Sequence, residues 1–291
     1  MGRFLDRLVA AQARWAKPLG EFNHRWVHAL FRPIPAIRDF LNGRWLGHPL
    51  HSVLTDAPIG ILLVVVVLDV LGEHAAADVA LVVGILSMLA AAVTGAADYA
   101  DTDGAARERA TVHSTLMVTA LVVYIVSAVL RAGAGADADR TAAIWTSIVG
   151  FVIVSAGAYV GGDVVYVLGN MVSRHAFRGS GTKWIVLEPG ELDESGNIPE
   201  GRPVKGKLGI NTLALVRQGD TILALNDQCA HAGGPLSGGT LENGRLECPW
   251  HGSRYRLADG RVMRGPSVYD QPAYEVRRTE AGAWEARRRV D

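Results

Sequence analysis

Cysteine is almost absent from this sequence: two residues in 291, Cys229 and Cys248. Both fall in one constellation, so no thiol is left over for an intrachain bridge. Net charge is lacking as well, because 29 Lys and Arg are offset by 29 Asp and Glu. A balanced chain offers no broad basic field, which argues against nucleic acid as a partner. The run Arg287-Arg288-Arg289 reads as a solvated edge. No glycine-rich loop follows the strand–loop–helix order that cradles phosphates; Gly233-Gly234 and Gly238-Gly239 stand outside it. Finally, residues 79–97, 112–130 and 141–162 contain no Asp, Glu, Lys or Arg at all.

Those uncharged runs match the length of about 20 mainly apolar residues that crosses a bilayer. With residues 52–71, interrupted only by Asp56 and Asp69, they predict four transmembrane helices, at 52–71, 79–97, 112–130 and 141–162. A soluble bundle would need polar faces that these segments lack. Residues 183–291 are far richer in charge and predict a separate domain, with 174–182 as linker and 48–173 as the membrane domain. Residues 1–47 read as two short amphipathic helices at the cytoplasmic or interfacial side, around Phe4–Trp15 and Phe22–Leu30. Packing on the C-terminal domain or on a second subunit of a homo-oligomer is the alternative use for those faces. No apolar signal region precedes the first span, which is expected to direct its own insertion. Arginines gather on the N-terminal side of the helices (Arg32, Arg38, Arg44, Arg107, Arg109, Arg174, Arg178), with only Arg131 and Arg140 opposite. The expectation is a multi-pass protein of a bacterial inner membrane with both termini cytoplasmic. Along the sequence no sustained internal repeat is evident, although the helix pairs could be loosely related.

The two cysteines carry the chemistry. Cys229-Ala230-His231 is followed, after sixteen intervening residues, by Cys248-Pro249-Trp250-His251. Zinc pairs usually read Cys-x-x-Cys then His-x-x-x-His, whereas here each loop gives one thiolate and one imidazole. Such a set sorts into one sulfur-bound and one nitrogen-bound metal. The stretch from Cys229 to Tyr255 resembles the two cluster-binding loops of a Rieske ferredoxin-type domain, with similarity continuing through 222–227 and to Gly265-Pro266 and 274–276. The resemblance implies an all-β domain after the membrane α-helical bundle, and a 2Fe–2S cluster ligated by Cys229, His231, Cys248 and His251. It also implies that the two cysteines hold the iron that stays ferric. Around the ligands it places Ser253 and Tyr255 as hydrogen-bond donors toward sulfur, and Pro266 in a loop over the cluster. Gly234 and Trp250 stand where some relatives carry a loop-bracing disulfide. A missing disulfide and present hydroxyls pull the potential in opposite directions, toward a middle value.

Ionisable groups inside spanning segments are functional suspects. His48, His51, Asp56, Asp98, His113 and Asp163 all fall toward one end of the predicted bundle, while Asp69, about 27 Å along from His51, belongs to the other. His48 and His51 flank Pro49, which a first helical turn tolerates, so they are expected to project together. With His113 at similar depth, this tier could hold a b-type haem, another metal or a quinone headgroup; capping and headgroup contact is the bland alternative. The run 41–51, with Thr55-Asp56-Ala57-Pro58-Ile59-Gly60, Thr94 to Asp98 and His113, resembles an uncharacterised four-helix bacterial membrane family over residues 40–172. That family has no settled activity. The whole reads as a membrane-anchored electron carrier with a redox partner protein, against a redox or iron sensor. Residues 183–291 are too short for a Rieske oxygenase's second, catalytic domain.

Overall fold

A computed structural model describes residues 2–133, 139–176 and 181–289. The chain divides into two compact units, Met1–Asn42 with Pro49–Asn170, and Gly43–His48 with Met171–Asp291.

The first unit is helical: α1 (Gly2–Ala11), α2 (Ala13–Phe31), α3 (Pro35–Leu41), α4 (Leu50–Leu54), α5 (Asp56–Val70), α6 (His74–Tyr99), α7 (Gly104–Ala132) and α8 (Thr141–Gly162), which runs on into a π turn, Asp163–Val167. Among the described residues, four spans are long and apolar enough to cross a membrane: Leu50–Val70, His74–Tyr99, Gly104–Ala132 and Thr141–Val167. The first is stepped at Thr55 between α4 and α5, because Pro58 lacks the N–H that would bond back to Leu54. α5 and α7 each pack against both α6 and α8, which sets them on one diagonal of the bundle. Leu62, Val65, Leu81, Ala120 and Tyr124 close the centre, while the valines and leucines of the outer faces stay exposed.

Three expectations change here. Residues 1–47 form three helices rather than two, with Pro18 accommodated inside α2. α2 packs on the bundle itself: Ala16 meets Val112 and Val160, and the Tyr99 hydroxyl donates to the Gly20 carbonyl at 3.2 Å. A Cβ on Gly20 would lie 2.7 Å from Thr111 Oγ1, so only glycine lets the helices approach this closely. Pro49 sits before the helix rather than in its first turn. Its extended ψ leaves His48 outside the helix and exposed, so the helical turn expected to carry both His48 and His51 does not include His48. Arg131 belongs to α7 and not to a loop, and it is buried. Of the expected linker, residues 177–180 lie outside the described residues, and with them Arg178.

The second unit is built on strands. β1 (Ile185–Val186), β2 (Glu188–Pro189), β3 (Val204–Leu208), β4 (Asn211–Gln218), β5 (Thr221–Asn226), β10 (Ala273–Arg278) and β11 (Trp284–Arg288) form an antiparallel sheet in the order β1-β11-β10-β5-β4-β3-β2. β6 (Thr240–Glu242), β7 (Arg245–Glu247), β8 (Arg254–Arg256) and β9 (Val262–Arg264) form a second sheet in sequence order. Alternation along β4 serves two cores. Leu213 and Leu215 face one with Ile198, Val204 and Ala286; Ala214 and Val216 face the other with Leu246, Tyr255 and the two cysteines. Asn243-Gly244, both at positive φ, supply the tight turn between β6 and β7.

Candidate metal centre

Two loops present the donors, and their backbones close in the same way. Cys229 follows β5; its carbonyl accepts from Gly233 N–H at 2.9 Å, and its own N–H donates to Gly234 O at 2.9 Å. Cys248 follows β7; its carbonyl accepts from Gly252 N–H at 3.1 Å, and its N–H donates to Ser253 O at 2.8 Å. The residue four past each cysteine is a glycine at positive φ, Gly233 (88°) and Gly252 (76°), which turns the chain where other residues would be strained. Each sulfur accepts two N–H groups of its own loop, His231 and Ala232 on Cys229, Trp250 and His251 on Cys248. The result is a nest of donors around sulfur.

Both cysteines are free thiols and buried. His231 is buried and His251 half-exposed, their rings edge to face with centroids 5.0 Å apart. Two imidazoles on one tetrahedral metal, at bonds of about 2.0–2.1 Å, would place centroids about 5.2 Å apart, so the pair fits one metal. A Cβ on Gly234 would lie 2.9 Å from Cys248 Sγ and from the Trp250 ring; the bare glycine leaves that space to the sulfur. Of the two thiols, Cys229 releases its proton more readily. A hydrogen bond from Cys248, then those of Tyr255 and the two amides, pull Cys229 down to about 7. That bond and burial push Cys248 up. A bound metal would displace the thiol protons.

Around the donors, Tyr255 Oη lies 3.1 Å from Cys229 Sγ, in place to donate to it. Ser253 Oγ is buried and accepts the Ser267 N–H at 3.0 Å, which leaves its own proton to donate. Pro266 lies in the segment between β9 and β10, directly before Ser267. Trp250 is 56% exposed beside His251. Sequence reasoning missed Gln271. Its amide donates to the carbonyls of Asn226 (2.6 Å) and Gln228 (2.7 Å) and accepts the Ala230 N–H (2.9 Å), so it clamps the first loop. It also missed His175, whose Nε2 bonds Gln228 O at 2.8 Å. Neither lies in a motif; each becomes visible only once the loop has folded.

Residues 188–275 match the Rieske 2Fe-2S domain family, and residues 47–174 match a family described as predicted membrane protein (DUF2231). The ferredoxin component of naphthalene 1,2-dioxygenase/salicylate 5-hydroxylase systems of Ralstonia sp is 32% identical over 81 residues, 28% of this chain and 78% of that protein. This chain belongs to the Rieske family. The Rieske domain is 30% identical to mouse apoptosis-inducing factor 3 over 28% of this chain, which spans only 13% of that longer protein. A solved structure, the ferredoxin of carbazole 1,9a-dioxygenase from Nocardioides aromaticivorans IC177, aligns over 35% of this chain and 99% of its own, with 23% identity and a TM-score of 0.31. Membership implies a 2Fe–2S cluster, and the donor set above suits one.

Of the remaining suspects, His51 and His113 come together, their ring centroids 6.3 Å apart. Asp56 opens α5 and is exposed. Asp98 is buried near the end of α6, its Oδ1 without a hydrogen-bond partner among the described residues. Asp163 is paired with Arg109.

Proposed function

We propose that this protein is a membrane-anchored one-electron carrier of ferredoxin type. Its cluster is ligated by Cys229 and Cys248 on one iron and by His231 and His251 on the other. The convergence of these four donors in two loops of matching closure carries the reading. The cluster supplies a site that takes up and releases single electrons. The chain's own residues tune and present it. Amides of both loops, with Tyr255 and Ser253, donate toward sulfur and favour the more negative reduced state. His251 and the exposed Trp250 form the rim at which a protein partner approaches.

The four apolar spans, with Val64, Val82, Val122 and Val152 among their exposed residues, serve as an anchor in lipid. On the arginine bias the Rieske domain is cytoplasmic, in a bacterial inner membrane, where an oxygenase or reductase would be its partner. Ferredoxin components of dioxygenase systems among the relatives support this class of partner.

On reduction, the full-length protein should take up one electron per chain and give a Rieske-type EPR signal that Cys229→Ser and His251→Ala abolish. A signal that persists in either variant would overturn the ligand set. A reporter fused after Asp291 that is active only outside the cell would overturn the topology.

A further inference from the structure

The helical unit is a duplicated hairpin, although its sequence shows no sustained repeat. The buried positions of α5, Pro58, Leu62, Val65 and Asp69, recur 62 residues later in α7 as Ala120, Tyr124, Ser127 and Arg131, all buried. Those of α6 recur 66 residues later in α8: Ala77 as Ala143, Leu81 as Ser147, Gly84 as Gly150, Met88 as Val154, Ala91 as Gly157, Thr94 as Val160. The contacts repeat with the positions. Leu62 fills the space over Gly84, and Tyr124 fills the space over Gly150. Both hairpins run in the same direction, so a pseudo-twofold axis along the bundle relates them.

Two residue pairs meet across the diagonal of this repeat. At one end Asp69 and Arg131, equivalent positions carrying opposite charges, form a two-pronged ion pair at 2.9 and 2.5 Å. At the other end, 18 residues earlier in each membrane span, the equivalents are His51 and His113. Each is seated alike. His51 Nδ1 bonds the Ala91 carbonyl at 2.9 Å, and His113 Nδ1 bonds the equivalent Gly157 carbonyl at 2.8 Å. Four residues on, Gly95 and Gly161 leave the rings room; a Cβ there would lie 2.8 and 2.9 Å from them.

Carbonyls only accept, so both Nδ1 atoms carry the proton. A second proton would put a cation among apolar helices, which is costly. Each Nε2 therefore offers a lone pair and makes no hydrogen bond among the described residues. Unlike the Asp–Arg pair, two lone pairs cannot satisfy one another. A quinone carbonyl, itself an acceptor, does not match them, and a hydroxyl, with one proton, satisfies one of the two, whereas a metal takes both. Locking Nδ1–H on a carbonyl is the usual support for a metal-bound imidazole. Two imidazoles in line on one metal put centroids about 6.4 Å apart, near the 6.3 Å observed and unlike the 5.0 Å of the Rieske pair. No third His, Cys, Asp or Glu joins this pair as a metal-ligating group among the described residues. The metal must therefore be content with two protein ligands.

We propose that His51 and His113 hold a second metal centre in line between their Nε2 atoms, on the axis of the duplicated hairpins. Two sources fit this chemistry: haem iron, which brings four ring nitrogens of its own, or a two-coordinate cuprous ion.

Full-length protein, purified in detergent with its Rieske EPR signal intact and titrated with haemin or with cuprous ion, tests this. One equivalent should bind beyond the two cluster irons, an intense visible band marking haem and its absence marking copper. His51→Ala and His113→Ala should each weaken binding at least about 10-fold, with the Rieske signal unchanged. Gly95→Leu and Gly161→Leu should act alike, because the duplication makes them equivalent, and His24→Ala should have no effect. Wild-type protein that binds neither probe, or a His51→Ala/His113→Ala double variant that still binds, would overturn the proposal. Loss of the Rieske signal alone would count against the cluster ligands and not against this site.

Discussion

Two pairs of histidines meet edge to face in this protein, at interplanar angles of 84° and 74°, and they are held by unlike means. His231 and His251 sit on loops closed by glycine turns, with a cysteine two or three residues before each. Their geometry is set within a few residues of chain. His51 and His113 sit at equivalent positions 62 residues apart, braced by carbonyls of α6 and α8, and no cysteine is near in sequence. The first pair is local and announces itself as a motif. The second exists only because two hairpins pack as copies of each other. A pair of imidazoles is thus uninformative alone; the groups on their other nitrogens and the distance between rings say what could lie between them.

The sharpest break of this comparison removes a cysteine. Cys248→Ser should abolish the cluster, with bound iron and sulfide falling to background, because two imidazoles 5.0 Å apart hold no cluster without both thiolates. Helix content, read by far-UV circular dichroism, should not change. A helical signal that collapsed with the cluster would show that the two regions do not fold independently.

The helical region breaks at its other end. Arg131 and Asp69 are nearly inaccessible, and Arg131 also reaches Asp78 and Ser147. Asp69→Ala leaves the buried guanidinium with Asp78 as its remaining carboxylate and should cost about 3 kcal/mol, the low end for breaking a buried pair, whereas the double replacement Asp69→Leu/Arg131→Leu should recover most of that. Reversible unfolding in detergent measures both. A double variant as unstable as the single would mean that the pair contributes more than mutual neutralisation.

Tyr255→Phe tests the local pair's surroundings. A hydrogen bond to sulfur that strengthens by about 1–2 kcal/mol on reduction is worth roughly 40–90 mV for a one-electron couple. Voltammetry should find the potential lowered by that amount, and unchanged in Tyr124→Phe, which packs only in the helical core.

Legibility in the sequence followed the same divide. Long apolar runs, three of them free of charge, gave the four helices, and Cys-x-His with Cys-x-x-His gave the loops, because both are encoded in contiguous residues. The step at Thr55 and the exposure of His48 turned on prolines whose neighbours choose between helix start and turn. Gln271 was illegible because its role is to bond backbone that only tertiary folding delivers. The duplication was hidden for another reason. Asp69 and Arg131, or Leu62 and Tyr124, share position and burial without sharing side-chain identity, so burial repeats where letters do not.

The smallest expected effect concerns the rim of the second sheet. Asp259, in the turn between β8 and β9, accepts from Arg256 Nε at 2.9 Å and from Arg261 N–H at 3.1 Å. These bonds, the arginine's first, hold its carboxyl at about 2. The folded value lies below the unfolded one, so its contribution is complete above about pH 4 and disappears as pH falls through 2. Arg256 is half-exposed, and solvent screening keeps the pair's contribution small. Asp259→Asn should therefore lower stability slightly at pH 7, match the wild type near pH 2, and leave the cluster's EPR signal in place. If that signal shifted, the loop geometry would depend on the far end of β8 as well as on the turns that close each loop, and the contrast between a locally set pair and a distributed one would weaken.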